Sequence, residues 1–187
     1  DAWVNYKFNS FGWLNNSTDL YYLSEQSGYS HLYLKPLDGQ ARAITSGTFE
    51  VDALTLSADD KFMYFKGNKK HPGIYEVYKV ALEDGSLTAM TNLNGMTDYL
   101  LSPDEQTLLL THSSLTRPPE LFLQSTIADT FKQLTHTASQ AFLDIDWLAP
   151  DIVPIKSSHT QQPIFSRVYA PRDMQAGEKY KAVVFNH

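Results

Sequence analysis

Short apolar and aromatic runs alternate with polar turns along most of this 187-residue chain, and one turn pattern occurs three times. The copies begin at Leu14, Leu56 and Leu101 and have the sequences LNNSTDLYYL, LSADDKFMYF and LSPDEQTLLL. In each copy the end of one strand precedes a turn rich in Ser, Asp or Asn, and an apolar strand follows. The regular spacing of these copies indicates an internal repeat.

A second marker keeps the same period. Thr45, Thr91 and Thr135 each follow an apolar residue and precede a polar break. The dipeptides Asp38-Gly39 and Asp84-Gly85, which favour hairpin turns, lie just before the strands that carry the first two threonines. Two unrelated markers that share one period favour a true repeat over chance.

Each repeat contains four short predicted strands. They fall near residues 10–14, 20–25, 31–36 and 41–45, then 51–57, 62–67, 73–81 and 87–91, then 96–101, 107–112, 120–125 and 131–135. Four antiparallel strands at a period of about 40–45 residues are typical of a β-propeller blade. A helical repeat is disfavoured because the segments are short and alternating, with no apolar 3.6-residue stripe. We therefore predict an all-β partial β-propeller of three four-stranded antiparallel blades, at about 1–47, 48–93 and 94–139.

Three blades cannot close a ring, because propellers typically need four to eight. An isolated trio would expose a blade face at either end. The chain is therefore expected to be a piece of a longer protein, or to cover those faces by assembling as a homodimer. The first explanation is the simpler one.

The pattern changes after residue 139. A polar turn separates residues 151–158 from a second strand at 164–170, and a hydrophilic loop follows. Residues 180–187 then form a last predicted strand that is apolar on both faces from Ala182 to Phe185. Such a run is typical of a strand buried in a sheet that helices cover. We predict that residues 140–187 are the truncated start of a second domain.

Composition narrows the classes of function. The net charge of −6 argues against nucleic acid or an anionic membrane as a partner, and no apolar stretch approaches the roughly 18 residues of a membrane span. The chain has no cysteine, so disulfides and thiolate metal sites are excluded. We expect no cofactor. A periplasmic or extracellular bacterial location is favoured, with a cytoplasmic one as the alternative.

Histidines and paired acids are the other candidates for chemistry. No two of the six histidines are three to five residues apart, so we expect no metal site. Asp59-Asp60 and Asp104-Glu105 lie in the repeated turn, which favours turn residues over an acid–base pair. The aromatic cluster near the amino end is expected to pack inside and between blades rather than to face a substrate; its members are Trp3, Tyr6, Phe8, Phe11 and Trp13.

Four segments, in order along the chain, carry a resemblance to a known family. Residues 23–34, LSEQSGYSHLYL, and 44–51, ITSGTFEV, are similar to two propeller segments of the dipeptidyl peptidase IV branch of the prolyl oligopeptidase family of serine peptidases. Residues 117–122, RPPELF, resemble the entry to a late propeller strand. Residues 163–171 and 179–184 resemble the strand pair that opens the family's α/β-hydrolase domain. The resemblance covers essentially the whole chain.

The resemblance implies that the parent protein is a dipeptidyl-peptidase-like hydrolase acting on short peptides, with the propeller region gating and shaping the substrate cleft. The family's Ser-Asp-His triad includes a serine in G-x-S-x-G, and this motif is absent from the chain. We therefore expect this polypeptide alone to be inactive. His187 is the one candidate site residue, at the start of the loop that offers an oxyanion donor in many α/β-hydrolases. Where the dipeptidyl branch has a tyrosine, this chain has His187.

Two alternatives share the predicted architecture. A stand-alone TolB-like propeller that binds a partner would have more blades and no buried strand after the last repeat, so residues 179–187 argue against it. An acyl-peptide hydrolase or esterase of the same fold would differ in cleft residues that lie outside this sequence. Dipeptidyl, aminopeptidase and endopeptidase specificities, including a proline preference, stay open for the same reason.

Overall fold

β-Strands carry nearly all of the regular structure in this computed structural model, which describes residues 10–128 and 130–185. The chain divides into two compact units, and the boundary along the sequence falls between Ile145 and Asp146. The strands described in the first unit are Phe11–Trp13 (β1), Leu20–Ser24 (β2), His31–Lys35 (β3), Arg42–Ala43 (β4), Val51–Leu56 (β5), Phe62–His71 (β6), Ile74–Ala81 (β7), Leu87–Ala89 (β8), Met96–Leu101 (β9), Thr107–Ser114 (β10), Arg117–Ser125 (β11) and Phe131–Gln133 (β12). Each of them overlaps a strand that the sequence predicted.

Neighbouring strands pair antiparallel in three groups of four, β1 to β4, β5 to β8 and β9 to β12. The second and third groups also share a single parallel bridge between Tyr75 and Met96. The amide of Tyr75 donates to the carbonyl of Gly95 over 2.8 Å at this bridge. The prediction of an all-β partial β-propeller is therefore confirmed, with the bridge as an added link between the second and third blades.

Apolar rows packed face to face hold successive blades together. Leu32 and Leu34 of β3 share one buried cluster with Met63 and Phe65 of β6. Val77 of β7 shares another buried cluster with partners on β10. Stacked sheets bury one such row from each side, and each fully buried side chain of this size contributes roughly 1.5–3 kcal/mol.

The structure aligns the first repeat one residue differently from the sequence. One backbone hydrogen bond closes the equivalent turn in each blade. Its donor is the amide of Leu14, Ser57 or Ser102, and its acceptor is the carbonyl of Asp19, Phe62 or Thr107, respectively. Leu14 is thus the equivalent of Ser57 and Ser102, whereas the sequence alignment paired it with Leu56. The hydroxyls of the two serines accept the amides of Phe62 and Thr107, a role that a leucine cannot fill.

An acidic residue in each later turn binds the turn of the preceding blade. Asp60 and Glu105 have φ of 58° and 59°, in the left-handed region of the backbone. The carboxylate of Asp60 accepts the amide of Asn15 at 2.8 Å, and that of Glu105 accepts the amide of Ala58 at 2.5 Å. We call each of these contacts a carboxylate latch. Asp60 and Glu105 lie in turns as predicted, and their link to the neighbouring blade is an additional finding.

The second unit contains a two-stranded antiparallel sheet, formed by Asp151–Ile155 (β13) and Ile164–Val168 (β14). Helix α1, Gln140–Leu143, precedes it at the end of the first unit and begins at Ser139, whose hydroxyl accepts the amide of Phe142. No helix in the described part of the chain has the length and apolar character that crossing a bilayer requires.

The strand predicted over residues 180–187 differs from the structure. Residues 180–185 have no regular secondary structure, and Val183 is 99% exposed. A strand that is apolar on both faces is stable only between paired neighbours under a covering layer. In the described residues of this unit the sheet ends with β13 and β14, so the segment lacks that environment.

A double-mutant cycle tests the latch between the second and third blades. Ala58→Pro removes the donor while keeping a backbone that fits, because Pro103 occupies the equivalent position of the next turn. We expect Ala58→Pro and Glu105→Ala to be coupled by about 1 kcal/mol in the free energy of urea unfolding, since each one breaks the same charge-assisted bond. The cycle cancels the effect of proline on the unfolded chain.

The control cycle pairs Ala58→Pro with Asp104→Ala. Asp104 lies in the same turn but accepts hydrogen bonds from Ser102 and Gln106, so its coupling should be near zero. Equal coupling in the two cycles would contradict the assignment of the latch to Glu105.

Candidate functional site

His187, the predicted site residue, lies outside the described residues, as does Asn186 before it. Trp3, Tyr6 and Phe8 of the predicted aromatic cluster are also outside them. The structure therefore leaves the role of His187 as a prediction.

The two described members of the aromatic cluster lie on the first strand of the first blade. Phe11 and Trp13 are 64% and 56% exposed. Gly12 lies between them opposite Tyr21, which packs against the core shared with the second blade. Successive residues of a strand point to opposite faces, so Phe11 and Trp13 point away from that core, and their packing between blades stays a prediction.

A polar side chain recurs at the start of the third strand of each blade. The first blade has His31, the second Glu76 and the third Glu120, and each contacts a threonine that follows the fourth strand of its blade. Those threonines are Thr45, Thr91 and Thr135, the second sequence marker. We call the three arrangements the strand-three polar sites.

The threonine of each site closes the blade. Its hydroxyl oxygen accepts the amide of the residue that follows the polar residue in the third strand, at 2.9 Å from Leu32, 2.9 Å from Val77 and 2.8 Å from Leu121. One threonine thus satisfies an amide of the third strand while its own hydroxyl proton is available for a neighbouring acceptor. This double use explains why the marker repeats in step with the blades.

Glu76 is the most buried of the acids, with 1% of its surface exposed. Its carboxylate accepts the hydroxyl of Thr91 at 2.5 Å and the amide of Asn94 at 2.7 Å. A buried carboxylate is tolerated when such donors satisfy it, and these two tie the segment between the blades to the third strand. The pKa of nearby Tyr78 is raised, mainly by burial and further by the negative charge of Glu76.

Glu120 forms the densest of the three sites. Its carboxylate accepts the hydroxyls of Thr135 and Thr137 together with the amides of Thr137 and Ala138. The hydrogen bond from Thr135, followed by those from Thr137 and Ala138, lowers the pKa of Glu120 to about 2 against the opposing effect of desolvation. These bonds hold the chain where it leaves the third blade.

His31 replaces the acid in the first blade. Its two ring nitrogens lie 3.0 Å from the Thr45 hydroxyl and 3.0 Å from the carbonyl of Gly47. The imidazole also makes an edge-to-face contact with the ring of Phe49, with 5.0 Å between the ring centroids. A histidine N–H can donate a hydrogen bond to a carbonyl, which a carboxylate cannot do. In the first blade the outgoing segment is therefore held by a carbonyl, that of Gly47, whereas in the other two blades it is held by backbone amides.

The strand-three polar sites position backbone and offer no free group for acid–base work. The contacts of their carboxylates and imidazole are internal, and His31 and Glu76 are buried. Within residues 10–128 and 130–185, no cluster of three or more histidine, aspartate and glutamate side chains could hold a metal ion. Sequence reasoning missed these sites, although a signal existed, because each polar residue precedes its marker threonine by 14 or 15 positions.

A pocket of about 380 Å³ opens beside the third site. Its lining combines the charged or ionisable side chains of Arg117, His112 and His136 with apolar surface from Phe122 and Leu143. Burial lowers the pKa of His112, whose Nδ1 lies 3.0 Å from the Thr97 hydroxyl.

The low pKa of Glu120 predicts how stability depends on pH. A carboxyl group whose pKa falls on folding stabilises the fold above its unfolded pKa, here 4.5, and loses that effect as pH drops towards 2. We expect Glu120→Gln to lower the melting temperature at pH 7 but to differ little from the parent near pH 2. Thermal melts across this pH range would check it, with Glu178→Gln on the exposed second unit as the control. A deficit of equal size at both ends of the range would contradict the assignment.

Comparison with known proteins identifies the relatives of this chain. The family model described as "Dipeptidyl peptidase IV (DPP IV) N-terminal region" matches residues 1–119. A protein of Arthroderma otae named "Dipeptidyl peptidase 4" is 33% identical over 95 residues, which cover 43% of this chain and 12% of that protein. A "Probable dipeptidyl peptidase 4" of Neosartorya fischeri is 30% identical over 105 residues, covering 48% and 14%.

A solved structure agrees at the level of the fold. The crystal structure of Porphyromonas gingivalis dipeptidyl peptidase 4 superposes with a TM-score of 0.70 at 20% identity. The match covers 87% of this chain and 24% of that one. The chain thus matches only about an eighth of the length of the curated relatives.

The strand order and the polar sites that repeat in each blade are consistent with the family match over residues 1–119. The chain belongs to the family of the dipeptidyl peptidase IV N-terminal region.

Proposed function

We propose that this chain is part of a serine exopeptidase of the dipeptidyl-peptidase type, in which its propeller blades gate and shape the cleft for short peptides. The observation that carries the proposal is the family match over residues 1–119, together with relatives that are themselves named dipeptidyl peptidase 4. The proposal includes a serine nucleophile and short peptides as substrates.

The proposed blades span about 1–47, 48–93 and 94–139, and residues 140–187 begin the hydrolase domain. The change from four-stranded groups to the β13–β14 hairpin supports this division. In this arrangement the catalytic serine and the rest of the triad belong to sequence beyond this chain, which is why we expect the 187-residue polypeptide to have no turnover.

Rigid blades suit a gating role. Buried rows, latches and strand-three polar sites fix each blade to its neighbour, so the edges of the sheets can hold loops in defined places. A fixed opening selects substrates by size, while the chemistry stays in the hydrolase domain. This separation of size selection from chemistry is what we expect of a peptidase that accepts short peptides and excludes folded proteins.

Chromogenic dipeptide substrates test the proposal. We expect the full-length protein that contains this sequence to hydrolyse X-Pro or X-Ala dipeptide derivatives and to lose that activity after treatment with a serine-directed covalent inhibitor. The 187-residue polypeptide should show no hydrolysis under the same conditions. Activity that survives the inhibitor would refute the serine mechanism, and hydrolysis by the short polypeptide would refute the location of the triad.

His187 is proposed to begin the loop that stabilises the oxyanion. Such stabilisation acts mainly in the transition state, so we expect His187→Ala in the full-length protein to lower kcat by at least about tenfold with little change in KM. His159→Ala, in the exposed segment between β13 and β14, is the matched control and should leave both constants unchanged. A wild-type kcat in the His187→Ala variant would remove His187 from the site.

A further inference from the structure

The segment that connects the second blade to the third contains the dipeptide Asn94-Gly95. Asn94 has a φ of 60°, in the left-handed region that asparagine tolerates better than most residues. A Cβ on Gly95 would lie 2.1 Å from the carbonyl oxygen of Ser113 and 2.7 Å from the imidazole of His112, so a larger residue does not fit there. The backbone thus favours asparagine at position 94 and requires glycine at position 95.

Asparagine directly before glycine is a chemically labile pair. The backbone nitrogen of the glycine can attack the side-chain carbonyl carbon of the asparagine, because glycine has no Cβ to hinder the approach. Among the residues that the structure describes, the amide of Gly95 donates to no acceptor, so no hydrogen bond holds its nitrogen back. Asn94 is exposed, so water reaches the site.

Lys70 lies where it would promote this attack. Its ammonium donates a hydrogen bond to Oδ1 of Asn94, and a second hydrogen bond of 2.7 Å to Oδ1 of Asn92 holds it in place. Attack on the side-chain carbonyl of Asn94 places negative charge on its Oδ1. A cation that already contacts this oxygen stabilises the charge as it forms.

We propose that Asn94 is a site of self-modification, at which attack by the nitrogen of Gly95, promoted by Lys70, converts the asparagine into isoaspartate and aspartate. A bond forms between the nitrogen of Gly95 and Cγ of Asn94, and the bond from Cγ to the side-chain nitrogen breaks. The amide proton of Gly95 passes to solvent, and the leaving group takes up a proton from solvent and departs as ammonia. Water then opens the succinimide at either carbonyl, and no oxidant or reductant is needed.

Isoaspartate lengthens the backbone by one carbon between two hydrogen bonds to β7. The amide of Asn94 donates to the buried carboxylate of Glu76 over 2.7 Å, and the carbonyl of Gly95 accepts the amide of Tyr75 over 2.8 Å. Glu76 and Tyr75 are adjacent, so the added carbon moves one of the two groups out of place. The modification therefore loosens the joint between the second and third blades.

Peptide mapping by mass spectrometry tests the modification in the full-length protein that contains this sequence. Isoaspartate and aspartate at position 94 are followed during incubation at mildly alkaline pH. We expect Lys70→Gln to slow their formation at least about threefold, because it removes the positive charge that contacts Oδ1. Lys69→Gln removes the same charge from the adjacent exposed residue and should leave the rate unchanged. In urea all three proteins should react equally fast.

An unmodified Asn94 in the folded protein would overturn the proposal. Equal slowing by Lys70→Gln and Lys69→Gln would overturn the role of Lys70, because a general effect of charge would then explain both. A difference between Lys70→Gln and the parent that persists in urea would also overturn that role, because the folded contact is absent there. No catalytic group takes part, so none of these outcomes depends on peptidase activity.

Hydrogen exchange tests the loosening of the joint. We expect the amide of Tyr75 to exchange faster in protein rich in isoaspartate than in fresh protein, while the amides of β2 in the first blade keep their rates. Asn94→Asp has the ordinary backbone length and is the control, so its Tyr75 amide should exchange as in fresh protein. An unchanged rate at Tyr75 in the modified protein would overturn the proposed loosening.

Discussion

The burial of one apolar row from each blade against the next is the interaction on which this structure depends. A single four-stranded sheet has two faces and cannot shield both from water, so Leu32, Val77 and Phe65 are stable only where blades meet. The period of the sequence follows from this constraint, since every blade has to present the same row in the same place. The family match and the proposed gating role both build on this stack.

Polar groups at the edges of the blades complement the apolar rows. The latches lie at the turn between the first and second strands. The strand-three polar sites lie at the other end of the strands, where the third strand begins. Both types satisfy backbone amides that have no partner within their own sheet. Asp60 therefore joins the turns of two blades, whereas Glu76 and Glu120 hold the segments that leave their own blades, and the buried rows provide most of the stability.

Periodicity made most of the fold predictable from the sequence, because strands, turns and marker threonines each repeat locally. The one-residue offset at Leu14 was not predictable from the alignment. The alignment matched similar side chains, whereas the equivalence in the structure is defined by the backbone hydrogen bond that closes the turn. The latch of Glu105 joins residues 47 positions apart, so no local pattern reveals it. The strand expected near Val183 failed because its stability depends on neighbours rather than on its own sequence. His187, the one predicted site residue, stays a prediction.

Native-state hydrogen exchange on a Phe65→Ala variant tests the central claim most directly. Phe65 is fully buried in the cluster that joins the first two blades, and its truncation should cost about 3–5 kcal/mol. Blades that share a core should lose protection together, so exchange is expected to accelerate in β2 and β3 as well as in β6 and β7. Faster exchange confined to the second blade would contradict a stack held together by shared rows.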